Sequence, residues 1–366
     1  MDQEMTKVQN RALQDSFPCY TAAGTPHELG QQHGVQARTH IHGFLDYLGH
    51  MLKLSREQLH CRAVRFLPLF GQFAPHLVEE ICGLAEGASI PMAEALAVQI
   101  RGELAQIQDE GCTAFVVAPR GCASGQILIG QNSDVEPEMD EFAYVLRLVP
   151  EDRPAMLMWT FGGMIGYHGL NSAGIAHFAN SLGGGPKWKF GLPHYPVKRL
   201  MLEQRSLDDV LGVLQHAPVC SSGNYVLCDG IGRIADVELT PAGFALLDDA
   251  GENFIAHSNH FVCSPFACRE SDAASVPDSV GRLSRLRQLL TSRVGKLTVE
   301  DLKTFLADHE GAPTSICRHA HEGPDHPLVS RRGRTVASLI AEPAAGRLHI
   351  SRGNPCCARY TTYELA

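Results

Sequence analysis

Gly111-Cys112-Thr113 holds the residue types for nucleophilic chemistry on an amide. A thiolate is a natural nucleophile, and a glycine just before it presents an unhindered carbonyl and tolerates strained backbone. Attack by Cys112 on the Gly111 carbonyl would cut the chain and leave Cys112 as a new N-terminus. The α-amine so freed has a reference pKa of about 7.7–8.0, which leaves a useful neutral fraction near physiological pH. Carried on the same residue as the thiol, it can take the thiol proton and later deliver it to a leaving group. Downstream, Asp134 follows a strand and a tight turn, so a hairpin could return it beside that N-terminus. Asn132-Ser133-Asp134 also has the composition of an Asx-turn that closes a hairpin.

The elements that must position these residues change character at Cys112. Before it, apolar residues recur at helical spacing over 26–53 (Leu29, Val35, Ile41, Phe44, Leu45, Leu48), with Gly30 and Gly34 on one face for close packing. Further helices are predicted near 56–70, 76–86 and 92–108. After it come short apolar or alternating runs at Thr113–Ala118, Gln126–Gly130, Ala143–Leu148 and Met156–Thr160, separated by Gly, Pro and Asp, which is the pattern of antiparallel strands. A helix is predicted over Val197–Gln215, and strands at Tyr225–Asp229, Ile234–Glu238, Ala245–Leu247 and Phe254–His257. Helices at Val280–Thr291 and Val299–Asp308 and strands at Thr335–Ala341 and Arg347–Ser351 complete the reading. Strands in groups, then helices, then strands again give an α+β layered fold, with no βαβ alternation and no glycine-rich dinucleotide loop.

Composition narrows the function classes. A chain of 366 residues, 44% hydrophobic, can bury a large core. Its net charge of -9 disfavours general binding to nucleic acid, and the basic residues concentrate only late, from Arg318 to Arg334. No run reaches membrane-spanning length, and the first residues lack the basic and apolar regions of a signal peptide, so a cytoplasmic protein is expected. The twelve cysteines contain no CxxC pair and read as reduced, mostly buried thiols. His257, His260, His319 and His321 could be drawn as a metal site, yet there is no HExxH helix, so neither a metal nor a cofactor is expected.

A wider set of motifs runs in order along the chain: Glu28-Leu29-Gly30 with His33-Gly34, Arg101-Gly102-Glu103, Gly111-Cys112, Gly130-Gln131-Asn132-Ser133-Asp134 and Gly169-Leu170-Asn171-Ser172-Ala173-Gly174. Glu238-Leu239-Thr240-Pro241, His257-Ser258-Asn259-His260-Phe261, Asp308-His309 and Gly353-Asn354-Pro355-Cys356 follow. Together they resemble the acyl-coenzyme A:6-aminopenicillanic acid acyltransferase family of N-terminal nucleophile (Ntn) hydrolases. The resemblance implies an αββα four-layer sandwich with a helix-rich N-terminal segment. It further implies autocleavage between Gly111 and Cys112, with residues 1–111 as pro-segment or α chain and 112–366 as β chain, both held in one compact domain. By the same resemblance Asp134 orients and charges the amine, Asn259 stabilises the oxyanion, and an arginine before the penultimate strand enters the site. Arg332 is taken for that role with Arg334 next, while Arg331 is also open, and His257 and His260 are read as structural.

The expected activity is cleavage of a linear non-peptide amide of a small acylated molecule through a thioester acyl-enzyme. Transfer of the acyl group to an amine uses the same intermediate, with acyl-CoA as one donor; the sequence has no phosphate-cradling loop, which favours hydrolysis. A non-catalytic relative that only binds an acylated molecule is the reading from another class, opposed by the joint presence of Cys112, Asp134 and Asn259.

Overall fold

The computed structural model describes residues 16–105, 111–183, 186, 188–262, 265, 276–320 and 333–366. Its strands in chain order are β1 (Cys19–Gly24), β2 (Gly111–Val117), β3 (Leu128–Val135), β4 (Ala143–Pro150), β5 (Met156–Phe161), β6 (His168–Asn171) and β7 (Ala176–Ser181). They continue with β8 (Gly223–Cys228), β9 (Ile234–Thr240), β10 (Gly243–Leu247), β11 (Phe254–His257), β12 (Arg334–Glu342), β13 (Arg347–Arg352) and β14 (Tyr360–Glu364). Among the described residues they form two sheets, an eight-stranded one ordered β1-β4-β5-β6-β7-β8-β9-β10 and a six-stranded one ordered β11-β2-β3-β12-β13-β14.

The sheets pack face to face, β2 and β3 against β7 and β8. Helices Val276–Arg293 and Val299–Leu306 cover the outer face of the smaller sheet, through a cluster that includes Phe115, Val117, Leu286, Leu290, Leu302 and Leu306. On the other side, helices His194–Leu202 and Leu207–His216 cover the larger sheet, with Val197, Met201, Val210 and Leu214 packed on Tyr225, Leu227 and Val237. The architecture is therefore the αββα sandwich. β2 and β3 are buried along their whole length because both of their faces are covered.

Two of the N-terminal helices pack closely on one another. Helices Pro26–Gln36 and Pro75–Ala88 approach through two pairs of glycines; a Cβ on Gly30 would lie 1.8 Å from the Glu80 carbonyl, and one on Gly83 2.0 Å from the His27 carbonyl. The face expected for Gly30 and Gly34 is thus used, with Gly83 and Gly87 as its counterpart.

Several boundaries differ from the sequence reading. The helix expected over 26–53 is two helices, Pro26–Gln36 and Arg38–Leu52, meeting at Ala37. The one expected over Val197–Gln215 is also two, the second opened by the Ser206 cap, whose hydroxyl accepts from the Asp209 amide. The N-terminal part also contributes β1, which pairs in parallel with β4 and lies at a sheet edge. No single helix among the described residues is long and apolar enough to cross a membrane.

Candidate active site

Cys112 is the second residue of β2 and is buried. The antiparallel pairing of β2 with β3 sets Gly111 opposite Asp134 and Cys112 opposite Ser133. On the far side of β3, Thr335 of β12 pairs with Asp134, and the register shifts between Thr335 and Ala337. Asp134 is therefore held between the Gly111-Cys112 peptide and Thr335. The β2–β3 hairpin returns Asp134 beside Gly111, as the hairpin reading expected; the Asx-turn alternative is corrected, because Asp134 stands within β3, which runs on to Val135. The Thr335 hydroxyl donates to Asp134 Oδ1 at 2.7 Å, while Oδ2 has no hydrogen-bond partner among the described residues.

Two buried arginines frame Cys112. Helix Val276–Arg293 presents Asp278 and Arg282 one turn apart as an ion pair of 3.1 Å. Arg282 Nη1 donates to the Cys112 carbonyl at 2.6 Å and to Thr113 Oγ1 at 2.7 Å, and its Nη2 donates to Asn259 Oδ1 at 2.8 Å. Arg318 Nη2 donates to Asp278 at 2.5 Å, and its Nε lies 3.8 Å from Asp134 Oδ2. Glycine at 111 is what allows this approach, since a Cβ there would sit 2.9 Å from Arg318 Nη1 and 3.2 Å from Asp134 Cβ.

Burial pushes the carboxyl of Asp134 up, against the downward pull of Arg318, Arg282 and the Thr335 hydroxyl. For Arg318 burial works against the charge, but Asp134 and Asp278 outweigh it and raise the guanidinium further. A thiol beside such a cation has its thiolate favoured.

Asn259, just past β11, receives the Cys112 backbone N–H on its Oδ1 at 2.9 Å. Its Nδ2 donates to the Ser181 carbonyl at 3.0 Å, and its own N–H donates to Ser279 Oγ at 2.7 Å. Asn259 thus grips the nitrogen that cleavage would turn into the α-amine, an arrangement the oxyanion reading did not include. His257 is buried next to it. Burial opposes its charge, yet Asp236, Glu238 and the Ser258 carbonyl outweigh burial and raise its pKa. Its Nδ1 bonds the Ser258 carbonyl and its Nε2 the Glu238 carboxylate at 3.2 Å, while His260 Nδ1 bonds Ser279 Oγ at 2.7 Å.

Beside Ser181 opens a cleft lined by Glu103, Tyr167, Trp188, Tyr195, Lys198 and Tyr225. The Lys198 ammonium sits 4.3 Å from the centroid of the Tyr167 ring. Burial pushes the Glu103 carboxyl up, and its Oε1 accepts from the Cys220 thiol at 3.1 Å.

Of the sequence-derived residues, Gly111, Cys112, Asp134 and Asn259 come together. Arg331 and Arg332 lie outside the described residues. Arg334 pairs with Val135 across the sheet and carries its guanidinium beside Gly353. Arginine is brought to Cys112 by Arg282 and Arg318, with Asp278 and Thr335, none of which the sequence reading singled out for the site. The Asp278 to Arg282 spacing, one helical turn, was the available signal.

Two stacked sheets between helical layers, with a cysteine opening a central strand, make this an Ntn-hydrolase fold. The profile of the family described as acyl-coenzyme A:6-aminopenicillanic acid acyl-transferase matches residues 121–356, and the chain belongs to that family of enzymes. It is similar to the acyl-coenzyme A:6-aminopenicillanic-acid-acyltransferase 40 kDa form of Emericella nidulans, 26% identical over 92% of both chains. Among solved structures it is similar to penicillin V acylase from Agrobacterium tumefaciens, with a TM-score of 0.47 and 11% identity, covering 66% of this chain and 83% of that one. A mutant conjugated bile acid hydrolase from Clostridium perfringens gives a TM-score of 0.43 at 10% identity, covering 69% and 96% respectively.

Proposed function

We propose that the protein is a self-processing cysteine Ntn enzyme that cleaves a linear, non-peptide amide through a thioester on Cys112. The observation that carries this reading is the convergence of Asp134, Asn259, Arg282 and Arg318 on residues Gly111 and Cys112. In processing, Cys112 Sγ attacks the Gly111 carbonyl carbon, the carbon–nitrogen bond breaks as the nitrogen gains the thiol proton, and water hydrolyses the resulting thioester. The products are a Gly111 carboxylate and a free Cys112 α-amine. Asn259 Oδ1 then accepts from that amine, and Asp134, whose Oδ2 makes no hydrogen bond among the described residues, is the nearby carboxylate that can charge and orient it.

In turnover the amine takes the thiol proton, the thiolate attacks the substrate carbonyl, and the protonated amine delivers its proton to the departing nitrogen. Arg318 favours the thiolate through its charge. The cleft beside Ser181, walled by aromatic rings, is the site offered to the acyl group of a small molecule. Water as second acceptor gives a free acid, and an amine gives a new amide; hydrolysis is the reading kept.

The two chains are expected to stay together after cleavage. β1 precedes the cut and pairs with β4 beyond it, and Leu29, Ile41, Phe44, Leu77 and Leu84 share one buried cluster with Val116, Ile129 and Val336.

The test is intact mass under denaturing conditions. Wild-type protein should give two species, residues 1–111 and 112–366, and Cys112→Ala a single full-length chain with no turnover. Active wild-type protein that remains one uncut chain would rule the reading out. With an acylated amine as substrate and a second amine added, free acid should dominate over new amide.

A further inference from the structure

Four side chains outside the Cys112 site meet at one point. His309, Cys317 and His319 lie in the segment after helix Val299–Leu306, and Cys356 lies between β13 and β14. Their donor atoms all fall within 4.8 Å of one another. His309 Nε2 to His319 Nε2 is 3.0 Å, Cys317 Sγ to Cys356 Sγ is 3.6 Å, and His319 Nε2 lies 3.3 Å from Cys356 Sγ and 3.7 Å from Cys317 Sγ.

These four separations are close to the edges of a tetrahedron around a metal ion, and the two from His309 to the sulfurs lie within 4.8 Å. With bonds of about 2.3 Å to sulfur and about 2.0–2.1 Å to nitrogen, tetrahedral edges are about 3.8 Å between sulfurs, about 3.3 Å between nitrogens and about 3.6 Å mixed. Hydrogen bonding cannot account for the crowding, because an imidazole nitrogen carries one in-plane proton or one lone pair. His319 Nε2 faces three partners at once. A cation that accepts a pair from each of the four atoms satisfies them together.

We propose that His309, Cys317, His319 and Cys356 form a structural zinc site. Two sulfurs and two nitrogens in a tetrahedron select zinc among the common divalent ions, and four protein ligands leave no open position for substrate. Asn354 supports it from behind: its Nδ2 donates to Cys317 Sγ at 3.5 Å and to the Arg318 carbonyl at 2.6 Å. Such donors to ligand atoms orient and tune metal sites. The ion ties the segment after helix Val299–Leu306 to the turn between the last two strands. Two of its ligands flank Arg318, so it also fixes the backbone from which that guanidinium reaches Asp278. The site is independent of the reading of Cys112 as nucleophile.

Metal analysis of the full chain tests it. Cys357, whose sulfur lies 3.4 Å from that of Cys356, is changed to Ser in every arm so that it cannot substitute as a ligand. Protein expressed with added zinc should hold one zinc per chain through dialysis. Metal-free protein given cobalt alone should show the intense visible bands and near-ultraviolet thiolate band of tetrahedral cobalt. Adding Cys356→Ser or, separately, His309→Ala should weaken zinc binding by more than about 100-fold, beyond the roughly 10–100-fold typical of losing an outer-shell partner. Both residues are exposed, so folding should tolerate either change, checked by circular dichroism. Equal zinc in parent and variants, an octahedral cobalt spectrum, or Cys317 and Cys356 recovered as a disulfide from unreduced protein would each overturn the site.

Discussion

Two of the protein's networks around buried arginine use the guanidinium differently. In the first, Arg199 lies between the N-terminal helices and the larger sheet. It is clamped bidentately by Glu80 at 2.8 and 2.7 Å, its Nε donates to Glu203 at 3.1 Å, and Nη1 also donates to the Ile165 carbonyl. Burial opposes the Arg199 charge, but the two glutamates reverse that and raise it. In the second, Arg282 directs hydrogen bonds to the Cys112 carbonyl, Thr113 and Asn259, and leans on Asp278 only through longer contacts. Both arginines are buried and ion-paired. A guanidinium closed off by its own carboxylates holds elements together, whereas Arg282, which directs donors at the Cys112 carbonyl and the Asn259 side chain, positions the groups around the proposed cleavage point.

The sharpest way to break this contrast is Arg199→Met. It leaves Glu80 buried without its cation, while Glu203 keeps His76 and Arg153, and should cost about 3–5 kcal/mol of stability, read by urea denaturation, while the fraction that folds still processes and turns over. Loss of turnover with unchanged stability would reverse the roles of the two networks.

Next in size is Asn259→Ala, which removes the group shared by Arg282 and the Cys112 nitrogen. Turnover should fall about 10²–10³-fold, the usual cost of one oxyanion-type group, and self-cleavage should slow. The Arg282 to Asp278 pair survives, so the melting temperature should move much less than for Arg199→Met. Near-normal turnover of the processed variant would take Asn259 out of the chemistry.

A smaller effect is expected for Gly111→Ala. The new Cβ presses on the end of Arg318, a flexible group that can yield, at a cost of about 1–3 kcal/mol or less. Self-cleavage, followed by mass against time, should slow, while enzyme that has already been cut should turn over normally because residue 111 then belongs to the other product.

The mildest test is pH, where the two regions should separate. Burial, helped by the charge of Arg199, lowers His33 to about 3, and burial with the charge of Lys198 lowers His177 to about 3 and His194 to about 4. Their folded-state values lie below the unfolded value of about 6.5, so their contribution to stability is complete above that value. It is lost progressively as pH falls from about 6.5 toward 3, because the unfolded chain takes up protons first. Activity should fall earlier, as pH drops through the α-amine pKa of about 7.7–8.0. Activity that declines only together with unfolding would argue against the amine as base.

Much of the layered fold was legible because helix and strand periods are local. The strand pattern from Thr113, the helix of Val299 and the strands at Thr335 and Arg347 all match to within a few residues. β1 was not read, since its short run Cys19–Gly24 gains its place only by pairing with β4, far along the chain. The extension of β3 through Asp134 was hidden for a related reason. Asn132, Ser133 and Asp134 are turn-formers locally, and they are held extended by ladders to β2 on one side and β12 on the other.

For the candidate site, the Gly111-Cys112 junction was legible from residue types and its place between helical and strand patterns, while Asp134 and Asn259 were legible through motifs that carry the family resemblance, and packing brings the three together. Tertiary structure alone decided which cations join them. Arg282 and Arg318 come from a helix and a loop far along the chain, and one arginine among many has no local mark that it will be buried beside a thiol. The same holds for His309, Cys317, His319 and Cys356, whose spacing matches no paired-ligand pattern. They converge because helix Val299–Leu306 packs on the sheet whose later strands carry Cys356, and a convergence made by packing leaves no period in the sequence.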